Sequence, residues 1–150
     1  MPDNATLSGN SSKRAMLLTA LYIAQEQHGY LNREAIEGTA ARLGLPVSEV
    51  YSTASFYTMF RTQPVGQYVI QVCDGLSCFM AGGGERLVDY ISKKLGIRVG
   101  QTTRDGLFTL QTVECLASCG TSPTVKVNDE LYEDMTTDKV DRVLDQLAGR

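Results

Sequence analysis

Four cysteines in two close pairs constrain this chain more than any other feature of its 150 residues. Four residues separate Cys73 from Cys78, and three separate Cys115 from Cys119. Each pair follows a strand-like run and lies among small residues, which let the backbone approach a bound group closely. Cys73 and Cys78 would point about 140° apart on one helix, so we expect the intervening chain to loop and bring them together.

Two pairs of cysteines suit an iron–sulfur centre, because a [2Fe-2S] cluster is held by four thiolates. Such a cluster carries net negative charge, which backbone N–H groups and helix N-termini stabilise when they point toward it. Glycines at Gly75, 82–84 and Gly120 would permit that close approach. The sequence therefore predicts a metal and cofactor site with four ligands, namely Cys73, Cys78, Cys115 and Cys119.

Other roles for these cysteines are compatible with the sequence alone. They could be inert buried side chains, although free cysteines rarely occur in two close pairs. Disulfides are disfavoured, because we find no signal peptide and the chain is long enough to build a core without them. A structural zinc module stays open as an alternative, since both pairs are compatible with the spacing of zinc ligands.

The order of elements around the cysteines resembles a known family. A glycine-led helix and a strand follow the first pair, and a proline, a hairpin and a last helix follow the second. The chain is similar to the thioredoxin-like [2Fe-2S] ferredoxins. With its helical N-terminal half, it resembles the small iron–sulfur subunit (NuoE type) of the NADH dehydrogenase module of respiratory complex I. The resemblance spans roughly residues 13–147, and the segments that carry it are Val72–Cys78, Gly106–Phe108, Val113–Cys119, Ser122–Pro123 and Val127–Asp129.

The resemblance implies an α+β fold, in which a small N-terminal helical bundle is followed by a thioredoxin-like α/β [2Fe-2S] domain. It also implies single-electron exchange with the FMN of a partner subunit that oxidises NADH. Both FMN and NADH would be bound by that NuoF-type flavoprotein and not by this chain. A large NuoG-type iron–sulfur subunit is a further implied partner. Related subunits serve NAD-linked hydrogenases and formate dehydrogenases, which the cysteine motif does not distinguish from complex I.

Charge and hydropathy disfavour nucleic acid and membrane as direct partners. The net charge is −3, and residues 1–62 carry five basic and five acidic side chains, so the excess acid lies in the cysteine-bearing remainder. No apolar run approaches the ~20 residues that span a bilayer. Residues 1–12 lack the apolar stretch of a signal peptide. We therefore expect a cytoplasmic protein that is held at the inner face of the membrane only through its partners.

Helical periodicity in the N-terminal part predicts three short helices, of which the first two end at Gly29 and Gly44, and a hinge rich in Pro and Gly follows them. We expect residues 1–62 to form a helical docking region and residues 63–150 to form the [2Fe-2S] domain. Six large apolar side chains on the helices are too many for one packed seam, which favours docking to a partner. These six are Leu21, Tyr22, Ile36, Tyr51, Phe56 and Phe60.

The segment 40–50 has the spacing of a helix-turn-helix, which leaves an iron–sulfur transcription regulator as another alternative. DNA binding requires Lys and Arg against phosphates and bases. The would-be recognition helix, residues 47–60, contains neither residue type. A packing role therefore fits this helix pair better than DNA recognition.

Overall fold

The computed structural model describes residues 13–149. The chain divides into two compact units, with the boundary between Pro64 and Val65. The described part of the first unit is helical, whereas the second unit combines helices with a mixed four-stranded sheet. The α+β class predicted from the sequence is therefore confirmed.

Short helices with clear end signals build the first unit. They include α1 (Leu17–His28), α2 (Arg33–Leu43) and α3 (Val47–Phe56). The α2 helix begins after Asn32, whose side chain accepts a hydrogen bond from the Ala35 N–H at 2.8 Å. It ends at Gly44, where φ is 64°, and α1 ends at Gly29, where φ is 77°. Glycine adopts this left-handed conformation without a steric penalty, so both helices stop where the sequence predicts.

The apolar faces of these helices meet in one core, which holds only half of the six large side chains considered above. Leu21, Ile36 and Phe60 are buried, with exposed fractions of 7% or less. Val50 and Ala54 fill the inward positions of α3, so the aromatic residues beside them on that helix point outward. The three side chains that stay exposed are Tyr22, Tyr51 and Phe56, at 39%, 54% and 78%.

Gln25 is a buried polar residue that ties α1 to the segment after α3. Its amide nitrogen donates to the Met59 carbonyl at 3.1 Å, and its amide oxygen accepts from the Arg61 N–H at 2.6 Å. One side chain thereby provides the hydrogen-bond partners of two backbone groups that lie outside any helix or strand. Helical periodicity does not reveal this role, because a glutamine on a helix is usually solvated.

The described part of the second unit combines four strands with three α-helices. Its strands are β1 (Tyr68–Cys73), β2 (Phe108–Val113), β3 (Val125–Val127) and β4 (Glu130–Tyr132). Its helices are α4 (Leu76–Met80), α5 (Gly84–Leu95) and α6 (Thr137–Ala148). The strand order is β2-β1-β3-β4, with β1 and β2 parallel and the other two pairs antiparallel. Parallel pairing of β1 and β2 requires a crossover, which the α5 segment provides.

The α5 and α6 helices cover the sheet and enclose its core. The α5 helix packs against β1, β2 and α6, with Leu87 and Ile91 buried at the contact. Thr136 caps α6 by accepting a hydrogen bond from the Lys139 N–H. The core residues from the sheet are Ile70, Val72, Phe108, Leu110, Val125 and Val127. Within the part of the chain that the structure describes, we find no helix long and apolar enough to cross a membrane.

The start of α5 is pressed against the loop that precedes β3. Gly83 lies so close to Pro123 that a Cβ built on it would stand 1.9 Å from the Pro123 Cβ. The Gly83 N–H donates to the Cys78 carbonyl at 2.8 Å, which connects α4 to the same contact. Backbone strain does not explain this glycine, because its φ of −97° is open to any residue. Close approach alone requires glycine here.

We predict that Gln25→Leu destabilises the first unit by about 1–3 kcal/mol, because the Met59 carbonyl and the Arg61 N–H lose their partner. Urea unfolding followed by circular dichroism would measure the change. Gln27→Leu on the same helix is the control, since Gln27 is exposed. Equal stability of the two variants would contradict the bridging role of Gln25.

We predict that Gly83→Ala destabilises the second unit by about 1–3 kcal/mol, because the added methyl group overlaps Pro123. Gly120→Ala is the matched control, since a Cβ at Gly120 would meet no atom within 4 Å. Thermal unfolding of both full-length variants would measure the difference. A Gly83→Ala protein as stable as the control would show that the loop moves aside at little cost.

Candidate metal centre

Three chain segments converge at one end of the sheet. Cys73 ends β1 directly opposite Val113, which ends the parallel strand β2. The segment before β3 arrives at the same end, because β3 runs antiparallel to β1 and starts beside Val72. Backbone hydrogen bonds fix the junction, from the Cys73 N–H to the Thr124 carbonyl at 3.1 Å and from the Asp74 N–H to the Val113 carbonyl at 2.9 Å. The carboxyl ends of parallel strands are a common place for ligand sites.

Cys73 and Cys78 come together in the interior, with exposed fractions of 4% and 2%. The prediction of a loop between them is only partly correct, because Cys78 lies inside the short helix α4. The chain leaves β1 in extended form and turns at Gly75 before α4 begins, so the two side chains approach from different elements.

Hydroxyl and amide groups surround the Cys78 sulfur. The hydroxyl oxygens of Ser122 and Thr124 each lie 3.5 Å from the Cys78 Sγ. Burial of Cys78 opposes ionisation, but these hydroxyls, the Thr124 N–H and Cys73 together lower the pKa of the Cys78 thiol below its ordinary value. A thiol that ionises readily is prepared to bind a metal, since the thiolate is the ligand form.

Cys115 lies in an exposed loop that follows β2, and the exposed Cys119 at the end of that loop begins a short 3-10 helix, Cys119–Thr121. The Ala117 N–H points back at the Cys115 sulfur, at 3.2 Å from the Sγ. Ala117 has a φ of 58°, a left-handed conformation that is uncommon for a residue with a side chain. Backbone strain of this kind is concentrated at functional sites, and here it directs an N–H donor toward a cysteine sulfur.

Glu133 anchors this loop from the segment between β4 and α6. Its Oε1 accepts hydrogen bonds from the Ser118 hydroxyl at 2.5 Å and the Thr121 hydroxyl at 2.6 Å. Both bonds stabilise the charged form, and they lower the pKa of the Glu133 carboxyl. Sequence reasoning missed Glu133, because it lies 14 residues after Cys119 and belongs to no motif.

The structure brings Cys73 and Cys78 together and places the Cys115–Cys119 loop at the same end of the sheet. None of the four cysteines is in a disulfide. Among residues 13–149, no three Cys, His, Asp or Glu side chains are grouped closely enough to hold a metal ion. Cys115 and Cys119 therefore do not form a group of metal ligands with Cys73 and Cys78 in this structure.

The donor chemistry of the site fits a [2Fe-2S] cluster. Four free thiols follow two neighbouring strands, and N–H and O–H groups point at two of the sulfurs. Gly75 lets its own backbone lie close to the loop that follows β2, because a Cβ there would lie 3.0 Å from the Glu114 carbonyl oxygen and 3.5 Å from the Cys73 Sγ. Any larger residue at this position would crowd the space between the two cysteine-bearing loops.

Comparison with known proteins shows the family of this chain. Residues 4–148 match the family described as thioredoxin-like [2Fe-2S] ferredoxin. A subunit of the NADH-quinone oxidoreductase of Rhizobium meliloti is 41% identical over 137 residues, which cover 91% of this chain and 81% of that protein. NADH-quinone oxidoreductase subunit 2 of Thermus thermophilus is 44% identical over 125 residues, which cover 83% of this chain and 68% of that protein.

Solved structures show the same fold. The crystal structure of an NAD+-reducing [NiFe]-hydrogenase in the air-oxidised state superposes with a TM-score of 0.76 at 22% sequence identity. The match covers 87% of this chain and spans only 23% of the hydrogenase chain. At that identity the likeness concerns the fold alone. The family match over nearly the whole sequence, joined to the 41–44% identity of relatives covered over most of their length, places this chain in the thioredoxin-like [2Fe-2S] ferredoxin family.

Proposed function

We propose that this protein is an electron-transfer subunit of an NADH:quinone oxidoreductase of the complex I type. It would carry one [2Fe-2S] cluster on Cys73, Cys78, Cys115 and Cys119, and exchange single electrons with the FMN of a partner subunit that binds NADH. The observation that carries the proposal is the in-register parallel pair β1–β2, which delivers both cysteine-bearing loops to one end of the sheet. The names of the relatives, which are subunits of NADH-quinone oxidoreductases, supply the host complex.

The residues around the site would hold the cluster and control its surroundings. A bound [2Fe-2S] cluster supplies a one-electron acceptor and donor. Cys73 and Cys78 would bind from the buried side, where the Thr124 hydroxyl lies beside the Cys78 sulfur, and Cys115 and Cys119 would bind from the solvent side. Burial and hydrogen bonds to the sulfurs are the two means by which a protein sets the potential of such a centre.

The two parts of the chain would divide the work. We assign docking to residues 1–62 and cluster binding to residues 63–150. The docking partner would be the NuoF-type flavoprotein that holds FMN and NADH, and a NuoG-type iron–sulfur subunit would be a further neighbour. The protein would then lie at the inner face of the cytoplasmic membrane through the complex.

A groove on the first unit, lined by both apolar and polar side chains, supports the docking role. Val47 and Tyr51 lie one turn apart on α3 and are 46% and 54% exposed. They line a groove of about 790 Å³ together with Tyr30, Ile36 and Pro64. Exposed aromatic residues at the edge of a groove are typical of protein interfaces.

We predict that protein purified without oxygen contains iron and acid-labile sulfide in equal amounts, about two of each per chain. Cys73→Ser and Cys115→Ser should each lose most of that iron, because each removes a ligand. Ser77→Ala is the control, since Ser77 is exposed between the first two cysteines. Correctly folded protein that contains only zinc would refute the cluster and favour the zinc module. The helical circular dichroism of the first unit should survive in both cysteine variants, because its core is separate.

We predict that Tyr51→Ser and Phe56→Ser weaken association with the flavoprotein subunit by about 30-fold each, near 2 kcal/mol, as expected for aromatic residues at an interface centre. Ser52→Ala on the same helix is the control. Co-purification and a titration of the two subunits would measure the effect, with iron content unchanged. Unchanged affinity in Tyr51→Ser would contradict docking at the groove, and unchanged affinity in Phe56→Ser would contradict docking through the other exposed face of α3. NADH oxidation by the isolated chain would refute the division of labour.

The alternative host is an NAD-linked hydrogenase or a formate dehydrogenase. The similarity to the hydrogenase concerns the fold alone. The relatives at 41–44% identity are named as subunits of NADH-quinone oxidoreductases. Identification of the subunits that co-purify with this chain would decide between the hosts. A partner set that contains a hydrogenase or formate dehydrogenase subunit would exclude complex I as the host.

A further inference from the structure

Thr124 places a buried hydroxyl against the sulfur of Cys78. The Thr124 side chain is 1% exposed, and its Oγ1 lies 3.5 Å from the Cys78 Sγ, which is itself 2% exposed. Among the described residues, no buried side-chain nitrogen or oxygen lacks a hydrogen-bond partner, so this contact is part of a satisfied interior. The backbone of Thr124 is fixed as well, because its carbonyl accepts the Cys73 N–H at 3.1 Å.

The direction of this hydrogen bond follows from the chemistry of a metal ligand. A cysteine bound to iron is a thiolate and has no proton to give, so the Thr124 hydroxyl must be the donor. Ser122 is placed differently. Its hydroxyl already donates to the Cys119 carbonyl at 3.0 Å, so its single proton is engaged away from the Cys78 sulfur.

We propose that the Thr124 hydroxyl sets the reduction potential of the cluster by donating a hydrogen bond to the Cys78 sulfur. The inference rests on the proposed function, since it requires a cluster bound through Cys78. Reduction adds one negative charge, part of which lies on the sulfurs. A hydrogen bond to a charged acceptor strengthens as that charge grows, so the Thr124 donor favours the reduced form and raises the potential.

The geometry makes Thr124 a residue that acts through Cys78 and is not itself a ligand. Thr124 links the two buried cysteines, because its carbonyl bonds to the Cys73 N–H while its hydroxyl faces the Cys78 sulfur. A conservative change that removes only the hydroxyl therefore leaves the backbone link in place. Valine has nearly the same shape as threonine, so Thr124→Val isolates the contribution of the O–H group.

The test is a potentiometric titration of the full-length protein, with reduction followed by electron paramagnetic resonance. We expect Thr124→Val to make reduction about tenfold less favourable, a shift of about 59 mV to lower potential for one electron. Thr124→Ser keeps the hydroxyl and should stay close to the unmodified protein. Iron and sulfide content, measured on the same samples, reports separately whether the cluster is present.

Two further variants are the controls. Ser122→Ala should shift the potential less than Thr124→Val does, because the Ser122 hydroxyl donates its proton to the Cys119 carbonyl. Thr109→Val removes another buried hydroxyl, which accepts the Gly66 N–H near the opposite ends of β1 and β2. It should change stability without changing the potential.

Several outcomes would overturn the proposal. An unchanged potential in a Thr124→Val protein with full iron content would show that the hydroxyl does not act on the cluster. A shift in Ser122→Ala but not in Thr124→Val would show that the effect belongs to Ser122. If Thr124→Val and Thr124→Ala both lost the cluster while Thr124→Ser kept it, the hydroxyl would be required to keep the cluster bound and not to set its reduction potential. Absence of iron and sulfide from the unmodified protein would refute the proposed function itself.

Discussion

The parallel pairing of β1 with β2 is the constraint on which the rest of the site depends. Because Cys73 stands opposite Val113, the two cysteine-bearing loops leave the sheet at the same end. A slip of one residue would turn the Cys73 side chain to the other face of the sheet. The register is held by the apolar side chains on the covered face, with Ile70 and Leu110 paired across the strands and almost fully buried. The geometry of the candidate centre is thus a consequence of core packing.

The two cysteine pairs are supported in different ways. Cys73 and Cys78 are part of the interior, and their surroundings are set by strand β1, helix α4 and the start of β3. Cys115 and Cys119 depend on their own loop, which is fixed by the Ala117 N–H and by the anchor from Glu133. Loss of the anchor would loosen an exposed loop, whereas a change near Cys78 would disturb packed atoms. The two cysteine pairs of the candidate centre therefore depend on different sets of contacts.

Sequence reasoning identified the features that have a local cause. The spacing of apolar residues and the glycine ends located α1 and α2. Contacts between distant segments were missed, since nothing in the sequence near Glu133 or Gln25 points to the hydroxyls or backbone groups that they bind. The α4 helix was missed for another reason. A single turn is too short to show periodicity, and its sequence is dominated by outward apolar residues.

Those outward residues bear on whether the chain acts alone. Leu76 and Met80 on α4 are 77% and 75% exposed, and Phe56 on α3 is 78% exposed. The cores of both units are nonetheless packed, and within residues 13–149 no buried side-chain polar atom lacks a partner. The exposed side chains are therefore not remnants of an incomplete core. Large apolar groups that stay in water on short surface helices contribute no free energy of burial to folding. Their presence in both units therefore agrees with a chain whose surface is covered by other subunits.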